Sequence, residues 1–187
     1  MSPSEEEALV KAARQDNQGF STLYDHYYPK IFGYIFRRTL DMELTKDLTS
    51  ETFLKVYLHI KGFQWRNISF SAWVYRIATN EMNMADRRKK SRSASLDQLM
   101  ETGFFELVDP QSLESEKRVM ERQLEQSKDF VLMQQKLKLL PSKYQEVLSL
   151  RFFESKPIKE IAEILNKKEG TVKSLLSRGL EKLRLSL

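Results

Sequence analysis

The spacing of the apolar residues is the feature that most constrains the fold of this chain. Along most of its 187 residues, apolar side chains recur three or four positions apart, which is the period of an α-helix. No stretch alternates apolar and polar residues for long enough to require a strand. The prolines are few and are assigned to helix edges: Pro3, Pro29, Pro110, Pro141 and Pro157. The pattern predicts an all-α protein with helices near 5–15, 18–38, 42–61, 70–91, 113–139, 142–153, 157–165 and 169–186.

The charges divide the chain into three blocks. Residues 1–92 carry 15 Lys and Arg against 11 Asp and Glu, and residues 125–187 carry 13 against 8. Residues 93–124 between them carry 3 against 7, and the stretch 92–112 is rich in small and turn-forming residues. We therefore expect two small helical domains, 1–92 and 125–187, joined by a flexible acidic linker over 93–124. Basic domains on an acidic linker suggest polyanionic partners, although segregated surface charge gives the same pattern.

Several classes of protein are disfavoured by composition. The chain has no cysteine, which excludes disulfides and cysteine-based zinc sites. Its N-terminus is acidic rather than basic and apolar, and no apolar run reaches the roughly 18 residues that a membrane span requires. His26 and His59 fall in separate helices, and no phosphate-binding glycine loop or metal-ligand spacing is present. We expect a cytoplasmic protein with no membrane insertion, no cofactor, no metal and no enzymatic activity.

Residues 155–187 have the spacing of a helix-turn-helix. Ser155 and Pro157 suit the start of a helix, and Ile158, Ile161, Ala162 and Leu165 form one apolar stripe along it. A small residue (Ala162) is followed four positions later by Asn166, which tolerates a left-handed turn. A second helix follows, whose inward residues are predicted to be Val172, Leu175, Leu176, Gly179, Leu180 and Leu183. An ordinary helical hairpin is the alternative.

The opposite face of this second helix carries short hydroxyls and cations. These are Thr171, Lys173, Ser174, Ser177 and Arg178. Such side chains suit phosphates and base edges in a major groove, so the pair of helices is predicted to read duplex DNA.

A second informative segment lies at 62–92. Its loop contains Phe63, Trp65, Arg66 and Asn67, and the following helix ends in a cationic run that includes Arg87 and Arg88. Aromatic rings beside cations can stack on unpaired bases while gripping a nucleic-acid backbone. Helical spacing assigns Phe70, Trp73, Ile77 and Met84 to the core, whereas Trp65 suits either the core or a base.

The predicted helix 42–61 has two different faces. Its inner stripe is Leu44, Leu48, Thr52 and Val56, with Phe53, Tyr57 and Ile60 beside it. Its other face carries Asp47, Ser50, Glu51 and Leu54. An acidic face with an exposed leucine suits a protein partner better than DNA.

Taken in order, these segments resemble a bacterial sigma factor of the extracytoplasmic-function group. The stretch Asp47–Leu54 resembles conserved region 2.2, and Phe70–Asn80 resembles regions 2.3 to 2.4. The stretch Leu140–Leu148 resembles the opening of region 4, and Glu160–Leu165 and Glu169–Ser174 resemble its continuation.

The resemblance implies specific roles for these residues. The first domain would bind the clamp coiled coil of core RNA polymerase through Asp47, Ser50, Glu51 and Leu54, and the second would sit on the polymerase flap. The residues implied to read the −35 element as duplex are Lys168, Thr171, Lys173, Ser174, Ser177 and Arg178. Those implied to capture flipped −10 bases are Phe63, Trp65, Arg66, Asn67, Arg76, Asn80, Asn83, Arg87 and Arg88. The partners would be core polymerase, promoter DNA and an anti-sigma factor.

The chain departs from this pattern in three places. Many relatives carry Arg and His where this chain has Leu175 and Ser177, and often an Asp where it has Met84. Relatives also often have a longer cationic run in region 4. Two alternatives remain open: a sigma mimic that sequesters an anti-sigma factor without binding DNA, and a free-standing helix-turn-helix repressor. The cations Lys173, Arg178 and 87–90 argue against the mimic, and the aromatic loop argues against the repressor.

Overall fold

The computed structural model describes residues 2–65, 68–95 and 128–185, which form helices joined by short turns. These ranges contain no strand, and the all-α prediction is confirmed. The N-terminal unit contains α1 (Pro3–Gln15), α2 (Asn17–Thr39), α3 (Met42–His59), a 3-10 turn (Ile60–Gly62) and α4 (Phe70–Ser95). The C-terminal unit contains α5 (Lys128–Leu139), α6 (Ser142–Leu148), a π-helical turn (Ser149–Phe153), α7 (Ile158–Leu165) and α8 (Glu169–Leu185). Most of the predicted linker, 96–124, lies outside the described residues, as does the first part of the helix predicted over 113–139.

Side-chain caps set the starts of the first three helices. Ser2 and Glu5 form a reciprocal capping box at α1, in which the Glu5 N–H donates to Ser2 Oγ at 3.3 Å. Asp16 accepts the Gly19 N–H at 2.7 Å, and Asp41 accepts the Leu44 N–H at 3.0 Å. Each cap contributes about 1 kcal/mol because it satisfies a backbone donor that has no partner within the helix. The turns between these helices are very short, and the capping residues Asp16 and Asp41 lie in them.

Helix α2 is the centre of the N-terminal unit. It packs against α1, α3 and α4, and its large side chains Tyr27, Ile31, Tyr34 and Ile35 are almost completely buried. Burial, and secondarily the adjacent Glu6 carboxylate, raise the pKa of Tyr27, so its phenol remains protonated and donates a hydrogen bond to Glu6.

Pro29 lies inside α2, so its assignment to a helix edge is wrong. A proline removes one backbone hydrogen bond and leaves a carbonyl in the preceding turn without its usual donor. Pro29 is exposed, and that carbonyl belongs to exposed Asp25, where water can satisfy it. The exposed position explains why the helix continues.

All helices of the C-terminal unit contribute buried residues. They include Tyr144, Val147 and Leu148 of α6, Ile161 and Ile164 of α7, and Val172 and Leu176 of α8, and they belong to one hydrophobic cluster that continues into the N-terminal unit. The five residues 149–153 form a π-helical turn that continues α6. The single helix predicted over 142–153 is thus correct in extent, but its last part is wider than an α-helix.

The two units pack against each other, and a buried carboxylate lies at the centre of the contact. Glu154, after the π-helical turn, pairs with the Arg37 guanidinium of α2 and accepts a hydrogen bond from the Tyr75 hydroxyl of α4. The Glu154 side chain is 6% exposed and the Arg37 side chain 10%. Burial and the neighbouring carboxylate raise the pKa of Tyr75, which keeps its hydroxyl protonated as the donor.

Further polar contacts join the units around this pair. Arg76 of α4 donates through Nε to the Glu163 carbonyl at 3.1 Å, near the end of α7. The Ser142 hydroxyl accepts from Arg38 at 3.0 Å and lies 3.3 Å from Asn83 Oδ1. The Lys156 ammonium donates to Ser71 Oγ at 2.6 Å. We name the contacts of Glu154, Glu163, Ser142 and Lys156 with the N-terminal unit the seam.

A glycine allows α1 and α2 to approach closely. A Cβ added at Gly19 would lie 2.3 Å from the Ala12 carbonyl oxygen, a backbone atom that cannot move aside, whereas a Cβ at Gly170 would meet nothing within 4 Å. We expect Gly19→Ala to lower the free energy of unfolding by about 3 kcal/mol. Gly170→Ala should be neutral or raise it by up to about 1 kcal/mol, since alanine favours a helix over glycine. Urea unfolding measures both, and equal effects would contradict the close contact.

We expect the Glu154→Gln substitution to separate the two units. The amide keeps the size of the side chain but leaves the Arg37 cation buried without a counter-charge, which costs about 3–5 kcal/mol. Because the chain has no native cysteine, fluorophores can be attached at Lys61→Cys and Lys182→Cys, and energy transfer should fall. Glu181→Gln, at an exposed position of α8, is the matched control. Unchanged transfer in Glu154→Gln would show that the seam does not depend on this pair.

Candidate nucleic-acid interface and partner-binding surface

Helices α7 and α8 meet in the tight turn that the sequence predicts. Asn166 has φ 51° and ψ 50°, which is left-handed, and the Lys167 N–H donates to the Ala162 carbonyl at 2.9 Å. Ala162 is buried at the crossing and Val172 is completely buried. The two helices therefore form a helix-turn-helix, as their spacing predicts.

The start of α7 differs from the prediction. Pro157 occupies the position before the helix, and no side chain caps it. Ser155 has φ 51° and lies in the turn between the π-helical segment and α7, where the next residue, Lys156, donates its N–H to the Leu150 carbonyl at 2.9 Å. The assignment of Ser155 as the cap is wrong, because the chain uses this residue to reverse direction.

The inner face of α8 is narrower than predicted. Leu176 and Gly179 are buried, and a Cβ on Gly179 would lie 3.1 Å from Leu148 Cδ1 of α6. Leu175 and Leu183 are half-buried. Leu180 is 44% exposed, so its inward assignment is wrong. The close contact at Gly179 brings α8 against α6, and the side of the helix beyond it faces solvent.

The predicted DNA-reading face of α8 is fully exposed. Each of its six members is an exposed residue at the turn or on the first three turns of the helix: Lys168, Thr171, Lys173, Ser174, Ser177 and Arg178. The Ser174 hydroxyl donates to the Gly170 carbonyl of its own helix at 3.0 Å. The other five side chains make no hydrogen bond or ion pair with any residue that the structure describes, so these cations and hydroxyls are available to a ligand.

The segment after α3 divides between core and surface. Phe63 is 7% exposed and its ring packs against Phe70, Trp73 and Trp65, with centroids 5.2, 4.9 and 5.3 Å away. It is a core residue in this arrangement, and its contact with a base stays a prediction. Trp65 is 37% exposed and covers the edge of this cluster. Arg66 and Asn67 lie outside the described residues.

The predicted −10 residues of α4 lie along one side of the helix. Asn80, Arg87 and Arg88 are exposed, and the Arg87 Nε donates to the Asn83 carbonyl at 3.2 Å. Arg76 and Asn83 are half-buried because the seam contacts them. The structure thus brings these side chains onto a common surface, part of which the C-terminal unit covers.

The core-predicted residues of α4 are less buried than helical spacing suggests. Phe70 is completely buried, whereas Trp73, Ile77 and Met84 are half-buried. Trp73 and Ile77 pack against the core from its edge.

Helix α3 presents the polar and apolar face that the sequence predicts for a protein partner. Asp47, Ser50, Glu51 and Leu54 are all exposed, and Leu54 is 51% exposed. Sequence reasoning missed Leu58, which is 62% exposed one turn beyond Leu54. Its spacing of four residues from Leu54 is the signal that could have identified it. We name these five residues the α3 face.

Leu44, assigned to the inner stripe of α3, and Tyr57, assigned beside that stripe, lie at the surface instead. Leu44 is 36% exposed and Tyr57 is 48% exposed. The Tyr57 ring packs edge-on against Phe20, and its hydroxyl lies 3.3 Å from Asn17 Oδ1. Helix α2 begins beside this end of α3. Tyr57 therefore packs at the surface between the two helices and is not part of the core.

The described residues contain no candidate metal-ion site and no candidate membrane-spanning helix. Among them, no three His, Asp or Glu side chains are grouped so that they could hold a metal ion. His26 lies 2.7 Å from the Lys30 ammonium, and desolvation and that cation lower its pKa. His59 is exposed at the end of α3. None of the helices described is long and apolar enough to cross a bilayer.

The N-terminal and C-terminal units each match a known protein family. The family model for Sigma-70 region 2 matches residues 23–93, and that for Sigma-70, region 4 matches residues 130–183. Among curated proteins, the ECF RNA polymerase sigma factor SigW of Bacillus subtilis is 32% identical over 184 residues, covering 96% of this chain and 94% of SigW. The ECF RNA polymerase sigma factor BldN of Streptomyces coelicolor is 31% identical, covering 95% of this chain and 63% of BldN.

Solved structures share the fold. The sigma factor RpoE of Bartonella quintana, in complex with the anti-sigma factor NepR, superposes with a TM-score of 0.65 at 18% identity and covers 88% of this chain and 94% of that one. CnrH in complex with the cytosolic domain of CnrY gives a TM-score of 0.63 at 17% identity, covering 96% and 94%. Two region matches in order, and a relative aligned over nearly its whole length, show that this chain belongs to the sigma-70 family of RNA polymerase sigma factors, in its extracytoplasmic-function group.

Proposed function

We propose that this sigma factor directs core polymerase to promoters by reading the −35 element as duplex with α8 and capturing unpaired −10 bases with Trp65 and α4. The domains would be residues 1–92 for polymerase binding and −10 recognition, and 125–187 for −35 recognition, with 93–124 as the linker. The observation that carries the proposal is the exposed cationic and hydroxyl face of α8 on a well-packed helix-turn-helix.

The composition of the α8 face supports duplex recognition. Lys168, Lys173 and Arg178 can neutralise phosphates, and Thr171 and Ser177 are short enough to let the helix approach base edges. Leu175, at a position where many relatives carry a cation, is half-buried and adds no charge. We therefore expect fewer phosphate contacts than in such relatives.

The seam has a consequence for −10 recognition. Arg76 donates to the Glu163 carbonyl and Asn83 Oδ1 lies beside the Ser142 hydroxyl, so neither is free for DNA while the units are packed together. We infer that the units separate when the protein binds polymerase. Polymerase would then hold both units at high effective concentration near the promoter, so that modest affinities at each element suffice. Capture of bases would offset the few kcal/mol that unstacking typically costs.

Protein partners follow from the α3 face. An exposed acidic surface with Leu54 and Leu58 at its centre suits the polymerase clamp coiled coil, and the C-terminal unit would sit on the flap. RpoE and CnrH are each solved in complex with a partner, an anti-sigma factor and the cytosolic domain of CnrY respectively. We propose that an anti-sigma factor likewise covers the polymerase-binding faces of this chain, and that the protein acts in the cytoplasm.

The proposed function is tested by transcription from a pool of random upstream sequences. Purified core polymerase is incubated with the pool, with and without this protein, and transcript 5′ ends are sequenced together with their templates. Defined start sites preceded by shared −35 and −10 sequences are the expected result. Stable binding to polymerase without any start site would favour the sigma mimic, and absence of both would refute the proposal.

We expect Arg178→Ala to weaken binding to −35 duplex at every sequence tested, because a phosphate contact carries no sequence information. The slope of log affinity against log salt concentration should fall by about 1. Arg184→Ala removes an exposed arginine near the other end of the same helix and serves as control. Fluorescence anisotropy across a salt series measures both. An equal loss in the two variants would indicate general charge rather than a contact at Arg178.

A further inference from the structure

We propose that α1 positions Trp65 for stacking on an unpaired base. Arg14 holds the chain at Phe63, just before Trp65, and Glu6 holds it at Ser71, where α4 begins. The whole of α1, Pro3–Gln15, lies before the region 2 match at 23–93. No role is assigned to α1 by that match. The inference rests on the proposed function, since it concerns how the −10 surface is held.

Arg14 binds the chain where it leaves α3. Its Nε donates to the Ile60 carbonyl at 3.0 Å, and its Nη2 donates to the Phe63 carbonyl. The guanidinium carbon also lies 5.9 Å from the centroid of the Phe63 ring. The Ile60 carbonyl also accepts the Phe63 N–H at 3.2 Å, and a cation beside the C-terminal end of a helix is favourable because the carbonyls there carry partial negative charge. The guanidinium thereby fixes both the backbone and the ring of Phe63.

Glu6 binds the chain where α4 begins. Its side chain is buried, and the single atom Oε1 accepts the Ser71 N–H at 2.8 Å together with the Tyr27 hydroxyl. Ser71 is the second residue of α4, so its N–H has no partner within the helix. The N-terminus of a helix carries partial positive charge, so a carboxylate there is favourable. The Tyr27 bond holds the carboxylate against α2.

The Phe63 ring connects the two attachments to Trp65. The Phe63 ring, held by Arg14, packs edge-on against Trp65 at 5.3 Å and against Phe70, the first residue of α4, at 5.2 Å. Trp65 remains 37% exposed, so one part of its indole is supported by the cluster and another part faces solvent. A ring that is already fixed loses little conformational entropy when a base stacks on it. Arg14 and Glu6 are thus positioning residues that never touch DNA.

The test compares six variants of the full chain bound to core polymerase. Arg14→Ala and Glu6→Ala remove the attachments, whereas Arg14→Lys and Glu6→Gln conserve part of them. Glu6→Gln keeps an Oε1 acceptor for both hydrogen bonds. Lys11→Ala and Glu7→Ala are matched controls, because both residues are exposed on the same helix.

The main measurement is the fluorescence of a base analogue placed in the −10 element of a promoter obtained from the random pool. Affinity for −35 duplex, co-purification with polymerase and thermal unfolding are measured on the same samples. We expect Arg14→Ala and Glu6→Ala to reduce −10 capture about tenfold, which corresponds to the loss of one charge-assisted hydrogen-bond set. Binding to −35 duplex and to polymerase should be unchanged. Glu6→Gln, which keeps the acceptor but loses the charge, and Arg14→Lys, which keeps the charge but loses the paired donors, should both lie between the wild type and the alanine variants.

The outcomes separate this inference from the proposed function. If the wild type captures −10 bases but Arg14→Ala and Glu6→Ala match their controls, α1 has no positioning role. If these variants lose −35 binding and thermal stability in proportion to −10 capture, the attachments serve the scaffold and the inference is also overturned. If the wild type itself gives no −10 signal, the proposed function fails and the inference fails with it.

Discussion

Helix α2 is buried on all sides over residues 31–35, near its C-terminal end, and the remaining structure is arranged to cover it. Five successive residues, 31–35, are buried, as are Arg37 and Arg38 after them. An amphipathic helix on a surface buries only one stripe, so a run of buried positions longer than one turn requires neighbours all round. Helices α1, α3 and α4 supply three of these sides. The C-terminal unit supplies the fourth.

The fourth side combines apolar packing with polar contacts. Two arginines end α2, and the carboxylate of Glu154 and the hydroxyl of Ser142 meet them. Arg37 Nε and Arg38 Nε and Nη1 have no hydrogen-bond partner among the described residues. Buried polar groups without partners cost free energy, and a buried ion pair contributes little net stability. The polar contacts of the seam therefore add little net stability of their own.

Two surfaces, the polar face of α8 and the exposed part of Trp65, are supported by close packing within their own units. Helix α8 is held against α6 by the close contact at Gly179, so its polar face is presented without involving the seam. Trp65 is supported by the aromatic cluster of Phe63, Phe70 and Trp73. That cluster is fixed in turn by Arg14 and Glu6 of α1. Arg76 and Asn83, by contrast, are contacted by the seam.

The sequence by itself determined the helices, the helix-turn-helix and the outward face of α3. Each of these follows from local periodicity or from a single turn residue such as Asn166, and neighbours three or four positions apart are sufficient to define it. Even Leu58 could have been identified in this way, from its spacing to Leu54. What the sequence could not supply was information about which polar residues meet across long separations.

Only the tertiary structure decided the burial of Phe63, the exposure of Leu180 and the roles of Arg14, Glu6 and Glu154. Arg14 and Phe63 are 49 positions apart, and Arg37 and Glu154 are 117 apart. Charged residues on amphipathic helices ordinarily face solvent, so nothing in their local pattern marks these few as buried partners. The physical reason is that a charge becomes buried only where another element brings a partner to it, and that depends on how the helices pack rather than on the order of residues within any one of them.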